Sequence, residues 1–191
     1  MDEITFLSQF WKSPRSIGAV VPSSSGLSRT MLGHIDFDNL HAIVEFGPGT
    51  GAFTKDIARK LRPGQRYIGI EINRTFCAQL VERFPGLHFV NDSVVRLEGI
   101  LADAGIGEID AVVCGLPWAS LPISDQARIM DAMLRRLPPG GVFVSFAYPS
   151  ALALPGAQAL RRRLKASFSR VTTTRIVWWN FPPAFAYVCV R

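Results

Sequence analysis

The residues of this sequence whose spacing best fits a ligand-binding site are a glycine-rich loop and two carboxylates. The run Gly47-Pro48-Gly49-Thr50-Gly51 follows an apolar β-type segment and precedes a helical pattern. A loop of this kind lets a backbone approach a ligand where any β-carbon would clash. Glu71 ends the next β-type segment, where a carboxylate can accept both hydroxyls of a ribose. Asp92 follows the third such segment, from which it would reach an adenine.

Alternating strands and helices must position these residues. Strands are predicted at 42–46, 67–71, 87–90, 109–114 and 141–146, and helices at 25–34, 52–61, 73–83, 94–103, 123–136 and 157–168. This alternation predicts a parallel sheet with helices on both faces. Two last strands, at 171–179 and 184–190, have no helix between them and predict an antiparallel hairpin. The expected fold is α/β, with a seven-stranded, mostly parallel, Rossmann-like sheet.

Length and composition indicate one folded domain in a reducing compartment. The chain has 191 residues, 48% of them hydrophobic, which excludes a disordered protein. Its three cysteines are far apart, and its three histidines complete no zinc pattern, so neither a disulfide nor a metal site is expected. The Met-Asp-Glu start does not support a secretory signal. Residues 137–160 are uncharged, but their prolines would break a spanning helix.

Charge is distributed unevenly along the chain. Residues 1–127 carry a net charge of −3, whereas residues 128–191 carry +9 with Asp131 as their one acidic residue. The basic C-terminal third therefore suggests an anionic partner, either a nucleic acid or a lipid surface.

The N-terminal segment favours the lipid surface. Apolar side chains at residues 4–11, including Phe10 and Trp11, fall on one side of a short predicted helix. Lys12 and Arg15 follow at once, where they could meet lipid phosphates. A helix of this size and asymmetry can lie in a bilayer interface, and packing on the sheet is the alternative.

The glycine loop alone leaves its ligand open. A simple tight turn would also use these glycines, and Gly47-x-Gly49-x-x-Ala52 fits the dinucleotide fingerprint. The polar residues at the next two strand ends argue against a mere turn. About forty residues before the first strand, and a hairpin in place of a second mononucleotide half, argue against a dinucleotide.

Taken together, Glu45 to Gly51, Glu71, Asn91-Asp92 and the final hairpin resemble the class I S-adenosylmethionine-dependent methyltransferases over residues 40–191. The resemblance implies that the methionine part of S-adenosylmethionine is held by Glu45, Gly47, Gly49 and Gly51. It implies that Glu71 holds the ribose and that Ile72, Asp92 and Ser93 meet the adenine. Gly115 is expected beside the same cofactor, and a loop with Ser23 and Ser24 is expected to close over its carboxylate. S-adenosylhomocysteine would be the product.

Two subfamilies are similar to this chain. The rRNA adenine dimethyltransferases carry Asn-Leu-Pro-aromatic after strand four, whereas this chain reads Gly115-Leu-Pro-Trp118 and lacks the asparagine. The bacterial phospholipid N-methyltransferases resemble it over nearly its full length, including residues 10–15, 18–24 and 179–184. They methylate phosphatidylethanolamine stepwise towards phosphatidylcholine. We therefore expect residues 1–40 to cover the site and residues 41–191 to form the methyltransferase domain.

Three residues are candidates for contact with the acceptor amine. Tyr148 follows strand five and could orient the amine, Trp118 could bind a cationic head group through its ring, and Asn180 could supply a polar contact. The expected enzyme is a monomer, peripheral to the inner face of the cytoplasmic membrane. An anionic phospholipid surface is its expected partner, with no nucleic acid. A nucleic-acid amine methyltransferase and a non-catalytic, cofactor-binding membrane module stay open as alternatives.

Overall fold

The computed structural model describes residues 25–191. Its helices are α1 (Ser25–Leu32), α2 (Thr54–Lys60), α3 (Arg74–Arg83), α4 (Leu97–Asp103), α5 (Ile123–Leu134) and α6 (Pro155–Ser167). Its strands are β1 (Ala42–Phe46), β2 (Arg66–Ile70), β3 (His88–Val90), β4 (Ala111–Cys114), β5 (Val142–Ala147), β6 (Arg170–Thr173) and β7 (Phe185–Val190). Short 3₁₀ turns occupy Val94–Arg96, Trp118–Ser120 and Pro149–Ala151.

The seven strands form one sheet in the order β3-β2-β1-β4-β5-β7-β6. Strands β1 to β5 are parallel, and β7 runs antiparallel to both β5 and β6. The predicted α/β fold with a C-terminal antiparallel pair is therefore confirmed. After β3 the chain returns to pair β4 with β1, which makes the β1–β4 boundary the switch point of the sheet. Open α/β sheets bind ligands at the carboxyl ends of the strands beside such a point.

Side-chain alternation along the strands divides the core between the two faces of the sheet. Val44 and Phe46 of β1 pack with Phe143 and with Leu97 of α4 and Ile129 of α5 on one face. On the other face, Ile43 packs with Leu27 and Met31 of α1 and with Ile57 of α2. Period-two alternation explains why one strand can serve both layers. Among residues 25–191, no helix is both long and apolar enough to cross a bilayer.

The C-terminal pair differs in extent from the sequence-based prediction. The first of the two strands was predicted over 171–179 but ends at Thr173. Beyond it, an isolated bridge joins Val177 to Ala184, and residues 178–183 form an irregular loop with Pro182 and Pro183. After Thr173 the Ala186 N–H donates to the side-chain hydroxyl of Thr174, at 2.9 Å, in place of a ladder carbonyl. Prolines lack the N–H that a ladder requires, which accounts for the absence of pairing beyond the Val177–Ala184 bridge. The predicted helix over 94–103 is also divided, into a 3₁₀ turn and α4.

Candidate functional site

The glycine loop lies at the carboxyl edge of β1, between β2 and β4. Gly47, Gly49 and Gly51 all have positive φ, which other residues rarely adopt. The Gly47 N–H donates to the Ile70 carbonyl at 2.9 Å, so the loop starts against the end of β2. The loop thus exposes backbone towards the edge while the neighbouring strands support it from behind.

Glu71, directly after β2, joins that strand to the loop. One carboxylate oxygen accepts the Gly49 N–H at 2.9 Å, and the other accepts the Asn73 N–H at 2.8 Å. The residue is fully buried. Burial raises the pKa of Glu71, although the two backbone N–H donors act in the opposite direction. Each oxygen keeps a second lone pair, so the carboxylate can still accept a ligand hydroxyl.

Glu45 is a buried acid inside β1, on the face that otherwise carries Ile43. Its Oε2 accepts hydrogen bonds from the Tyr67 hydroxyl at 2.6 Å and the Thr54 hydroxyl at 2.8 Å. Its Oε1 has no hydrogen-bond partner among residues 25–191. Burial, with a smaller contribution from the charge of Glu71, raises the pKa of Glu45 to about 7. An orphaned carboxylate oxygen beneath the loop suits a cationic ligand group, which would favour the ionised acid.

The edge of β3 carries Asn91, Asp92 and Ser93. The Asn91 amide donates to the carbonyls of Glu71 and Ile72, at 2.8 and 3.1 Å, and so holds the two loops together. Half-buried Asp92 accepts the Ser93 N–H at 2.7 Å. Asp92 also pairs with Arg96 at 3.4 Å.

The predicted cofactor residues within 25–191 therefore lie along one edge of the sheet. Ile72 is half-buried beside Glu71, which leaves part of its side chain available to a ring. Ser93 caps the following 3₁₀ turn by accepting the Val95 N–H at 3.4 Å. Contact of Ile72, Asp92 and Ser93 with an adenine stays a prediction.

Gly115 lies where the end of β4 presses against the glycine loop. Its N–H donates to the Phe46 carbonyl at 2.8 Å. A β-carbon there would lie 2.6 Å from the Gly47 carbonyl oxygen. Close packing accounts for this glycine, and its direct contact with a cofactor stays a prediction.

Trp118 does not occupy the position that the sequence suggested. The residue is 3% exposed, its indole N–H donates to the Ser145 hydroxyl at 3.0 Å, and its ring lies edge-on to Phe143. Because the ring packs within the core, this placement argues against contact of Trp118 with a head-group cation, and that contact stays a prediction.

Asn180 is likewise buried, at 4% exposure. Its amide donates to the Pro182 carbonyl at 2.7 Å and stabilises the bend before β7. Its burial and its bond within the loop give no support to the predicted contact of Asn180 with the acceptor, which stays a prediction.

Tyr148 remains a candidate for contact with the acceptor. It follows β5 at the same edge as the glycine loop, half-buried, with its ring edge-on to Phe146. Its hydroxyl has no hydrogen-bond partner within the described residues. Burial raises the pKa of Tyr148, so the hydroxyl stays protonated near neutral pH.

Sequence reasoning missed the residues that support the site from behind. The Tyr67 and Thr54 hydroxyls donate to Glu45. In the sequence these two residues fit an ordinary strand and an ordinary helix, and nothing in the pattern indicates that they contact Glu45. Buried Gln126 of α5 donates to the carbonyls of Trp118, Leu121 and Gly156 and so fixes the loop after β4. A polar residue on the apolar face of a predicted helix was the available signal.

Several predicted residues lie outside the described part of the chain. They are Phe10, Trp11, Lys12, Arg15, Ser23 and Ser24. Across residues 25–191, no three His, Cys, Asp or Glu side chains gather as a metal site would require.

Comparison with known proteins adds to this geometry. The family described as "Methyltransferase domain" matches residues 44–143. An ornithine lipid N-methyltransferase from Singulisphaera acidiphila is 35% identical over 98% of this chain and 95% of that protein. The crystal structure of an O-methyltransferase from Bacillus cereus in complex with S-adenosylhomocysteine covers the whole chain and 92% of its own length, with a TM-score of 0.68 and 15% identity. The O-methyltransferase TomG from Streptomyces achromogenes, in complex with S-adenosylmethionine, covers all of this chain and 90% of its own, with a TM-score of 0.62 and 22% identity. The two structures support the fold.

Proposed function

Because this chain belongs to the methyltransferase-domain family of S-adenosylmethionine-dependent enzymes, we propose that it methylates the head-group amine of a membrane lipid. The main support for a lipid acceptor is the similarity to an ornithine lipid N-methyltransferase, which is 35% identical over nearly the full length of both chains. The proposed place of action is the inner face of the cytoplasmic membrane, where the enzyme would work as a peripheral monomer.

The residues at the sheet edge fit the proposed cofactor. S-adenosylmethionine carries an ammonium, a sulfonium and a ribose, and when bound it supplies an electrophilic methyl group. The orphaned Glu45 oxygen suits a cationic group, and the buried Glu71 carboxylate suits hydroxyls. The loop from Gly47 to Gly51 would let the methionine part approach the backbone. Two buried acids would also favour a positively charged ligand over an anionic one.

The acceptor amine needs a free lone pair and a fixed orientation. The neutral Tyr148 hydroxyl can accept a hydrogen bond from an amine N–H, which would orient the nitrogen without taking its proton. Holding a nucleophile in line is the main contribution that a protein makes to such a displacement. Tyr148 is therefore the proposed orienting residue for the acceptor.

Two head groups are candidates for the acceptor. Ornithine lipid is favoured by the 35% identity to an ornithine lipid N-methyltransferase. Phosphatidylethanolamine, with stepwise methylation towards phosphatidylcholine, is favoured by the resemblance of residues 10–15 and 179–184 to phospholipid N-methyltransferases. Both lipids present a primary amine beside the bilayer surface, so one site chemistry would serve either.

Transfer of labelled methyl groups tests this proposal. Methyl-labelled S-adenosylmethionine would be supplied with vesicles of ornithine lipid, vesicles of phosphatidylethanolamine, and RNA, each in a separate reaction. Phosphatidylcholine vesicles, whose amine is already quaternary, serve as the negative acceptor, and Glu71→Gln serves as the site-impaired enzyme. Label in either amine lipid supports the proposal and identifies the head group. Label in RNA alone would overturn it.

A further inference from the structure

Large apolar side chains are exposed mainly at one edge of the molecule. Among residues 25–191 there are seven such side chains, and one of them, Val81, belongs to α3, which connects β2 to β3 at the other end of the strand order from β7. The other six, here called the apolar rim, are Ile123, Leu152, Leu154, Trp178, Trp179 and Phe181. They belong to the segments that follow β4 and β5 and to the loop that precedes β7. Since Phe185 of β7 pairs with Ala147 at the end of β5, all three segments meet at the carboxyl edge.

The segments that carry the apolar rim contain no charged residue. Residues 115–124, 147–160 and 176–186 include no Asp, Glu, Lys or Arg, although 19% of the whole chain is charged. Protein surfaces that face water normally intersperse both signs of charge. A large, uncharged apolar edge on a protein marks a surface that binds another apolar phase or partner.

The loop before β7 is built with its polar group inside and its aromatic groups outside. The Val177 N–H donates to the Ala184 carbonyl at 2.7 Å and closes the loop, while buried Asn180 stabilises its bend. Trp178, Trp179 and Phe181 are 71%, 95% and 78% exposed. The loop therefore holds three aromatic rings in solvent through specific internal hydrogen bonds.

We propose that the apolar rim docks on the surface of a lipid bilayer. Tryptophan concentrates at the membrane–water interface, where an apolar ring and a polar N–H both find suitable surroundings. Exposed Arg175 precedes the loop, in a C-terminal third of net charge +9, which complements anionic head groups. Tyr148 and the glycine loop lie at the same edge, so docking would bring head-group amines to the site. This inference rests on the proposed lipid acceptor.

Quenching of tryptophan fluorescence tests the docking. The full chain would carry Trp11→Phe, so that its exposed tryptophans are Trp178 and Trp179, while Trp118 is buried. Vesicles of phosphatidylcholine and phosphatidylglycerol in equal parts would contain lipids brominated in their acyl chains. We expect quenching on binding. We also expect the triple variant Trp178→Ser, Trp179→Ser and Phe181→Ser to lower vesicle partitioning by more than about tenfold.

Val81→Ser is the matched control, since it removes an exposed apolar side chain away from the rim. Unchanged S-adenosylmethionine binding by the triple variant shows that its fold is intact. Parent-level partitioning of the triple variant would overturn the proposal. So would a rim substitution that changes the size of the protein in solution and not its vesicle binding, because the rim would then contact a second copy.

A separate measurement distinguishes failure of the docking from failure of the proposed function. Methyl transfer would be assayed with a short-chain, water-soluble amine lipid that needs no bilayer. Transfer to this acceptor by a triple variant that has lost vesicle binding supports both proposals. If the wild-type protein methylates no amine lipid in any form, the proposed function fails, while the vesicle measurement still decides the docking.

Discussion

The β-carbon that any other residue would place at position 115 would lie 2.6 Å from the Gly47 carbonyl oxygen. A real β-carbon does not approach a backbone oxygen so closely, so the end of β4 and the glycine loop can meet only through Gly115. The rRNA adenine dimethyltransferases that this chain resembles have an asparagine at the matching position. In this chain an asparagine would push the loop away from β4.

Gly115→Ala should weaken cofactor binding and lower stability together. The added methyl group must displace the Gly47 backbone, and overpacking of this kind costs roughly 1–3 kcal/mol in the free energy of unfolding. Calorimetric titration with S-adenosylmethionine and thermal unfolding would measure the two effects. Gly99→Ala is the control, because a β-carbon at this exposed position of α4 would meet open space and alanine favours helices. Equal behaviour of the two variants would contradict the steric role of Gly115.

Cofactor affinity should fall as the pH is lowered through about 7. The pKa of Glu45 in the free protein is about 7, so the acid is protonated below that pH. A cationic ligand group favours the ionised carboxylate, so binding releases a proton and tightens as the pH rises, then levels off above 7. Calorimetry in buffers of different ionisation enthalpy would detect that proton. Glu45→Gln should bind more weakly and without this pH dependence. A wild-type profile in the variant would exclude Glu45 as the cause.

Stability provides an independent check on the same carboxyl group. The pKa of Glu45 rises from a usual value of 4.5 to about 7 on folding. Its contribution to stability is therefore fully present below pH 4.5 and is lost as the pH rises to about 7, by on the order of 3 kcal/mol. Denaturant unfolding across this range should show a decline that Glu45→Gln lacks. Parallel wild-type and variant curves would contradict the assigned pKa.

Trp118→Phe should destabilise the protein without weakening acceptor binding. The substitution removes the hydrogen bond to Ser145 and leaves unfilled volume in the core, at a cost of roughly 1–3 kcal/mol in the free energy of unfolding. Trp178→Phe is the control, because that ring is 71% exposed and should leave the free energy of unfolding unchanged. A raised KM for the amine lipid with normal stability would restore the cation–π role that burial argues against.

The sequence predicts the edge of the sheet that carries the site, because parallel strands bring their carboxyl ends together. Gly47, Glu71 and Asp92 each follow a different strand, and the alternation of strands and helices makes those strands parallel. Whether an aromatic residue that follows a strand is buried or exposed cannot be predicted in this way. Trp118 is enclosed because Ser145, on the neighbouring strand, lies beside Cys114 in the register of β4 and β5. That contact depends on strand pairing, which local patterns do not specify.

The length of the last two strands could not be predicted from local sequence patterns either. The β-type residues of 171–179 suit a strand by composition, but only Arg170–Thr173 finds a full partner in β7. The residues that follow instead form the loop that exposes Trp178 and Trp179. Burial, rather than residue type, separates these exposed tryptophans from the enclosed Trp118.

Removal of the Tyr148 hydroxyl should slow turnover without changing stability. Because that hydroxyl has no partner among the described residues, Tyr148→Phe should leave the free energy of unfolding unchanged. If the hydroxyl orients the acceptor amine, its loss should lower kcat by roughly 10- to 100-fold and leave the dissociation constant of S-adenosylmethionine unchanged. Tyr187→Phe is the matched control, since Tyr187 is buried on the opposite face of the sheet from Tyr148 and should keep wild-type turnover. Steady-state kinetics on amine-lipid micelles, with kcat and both KM values resolved, would decide. Wild-type kcat in Tyr148→Phe would remove this residue from the reaction and leave amine orientation to other groups at the edge.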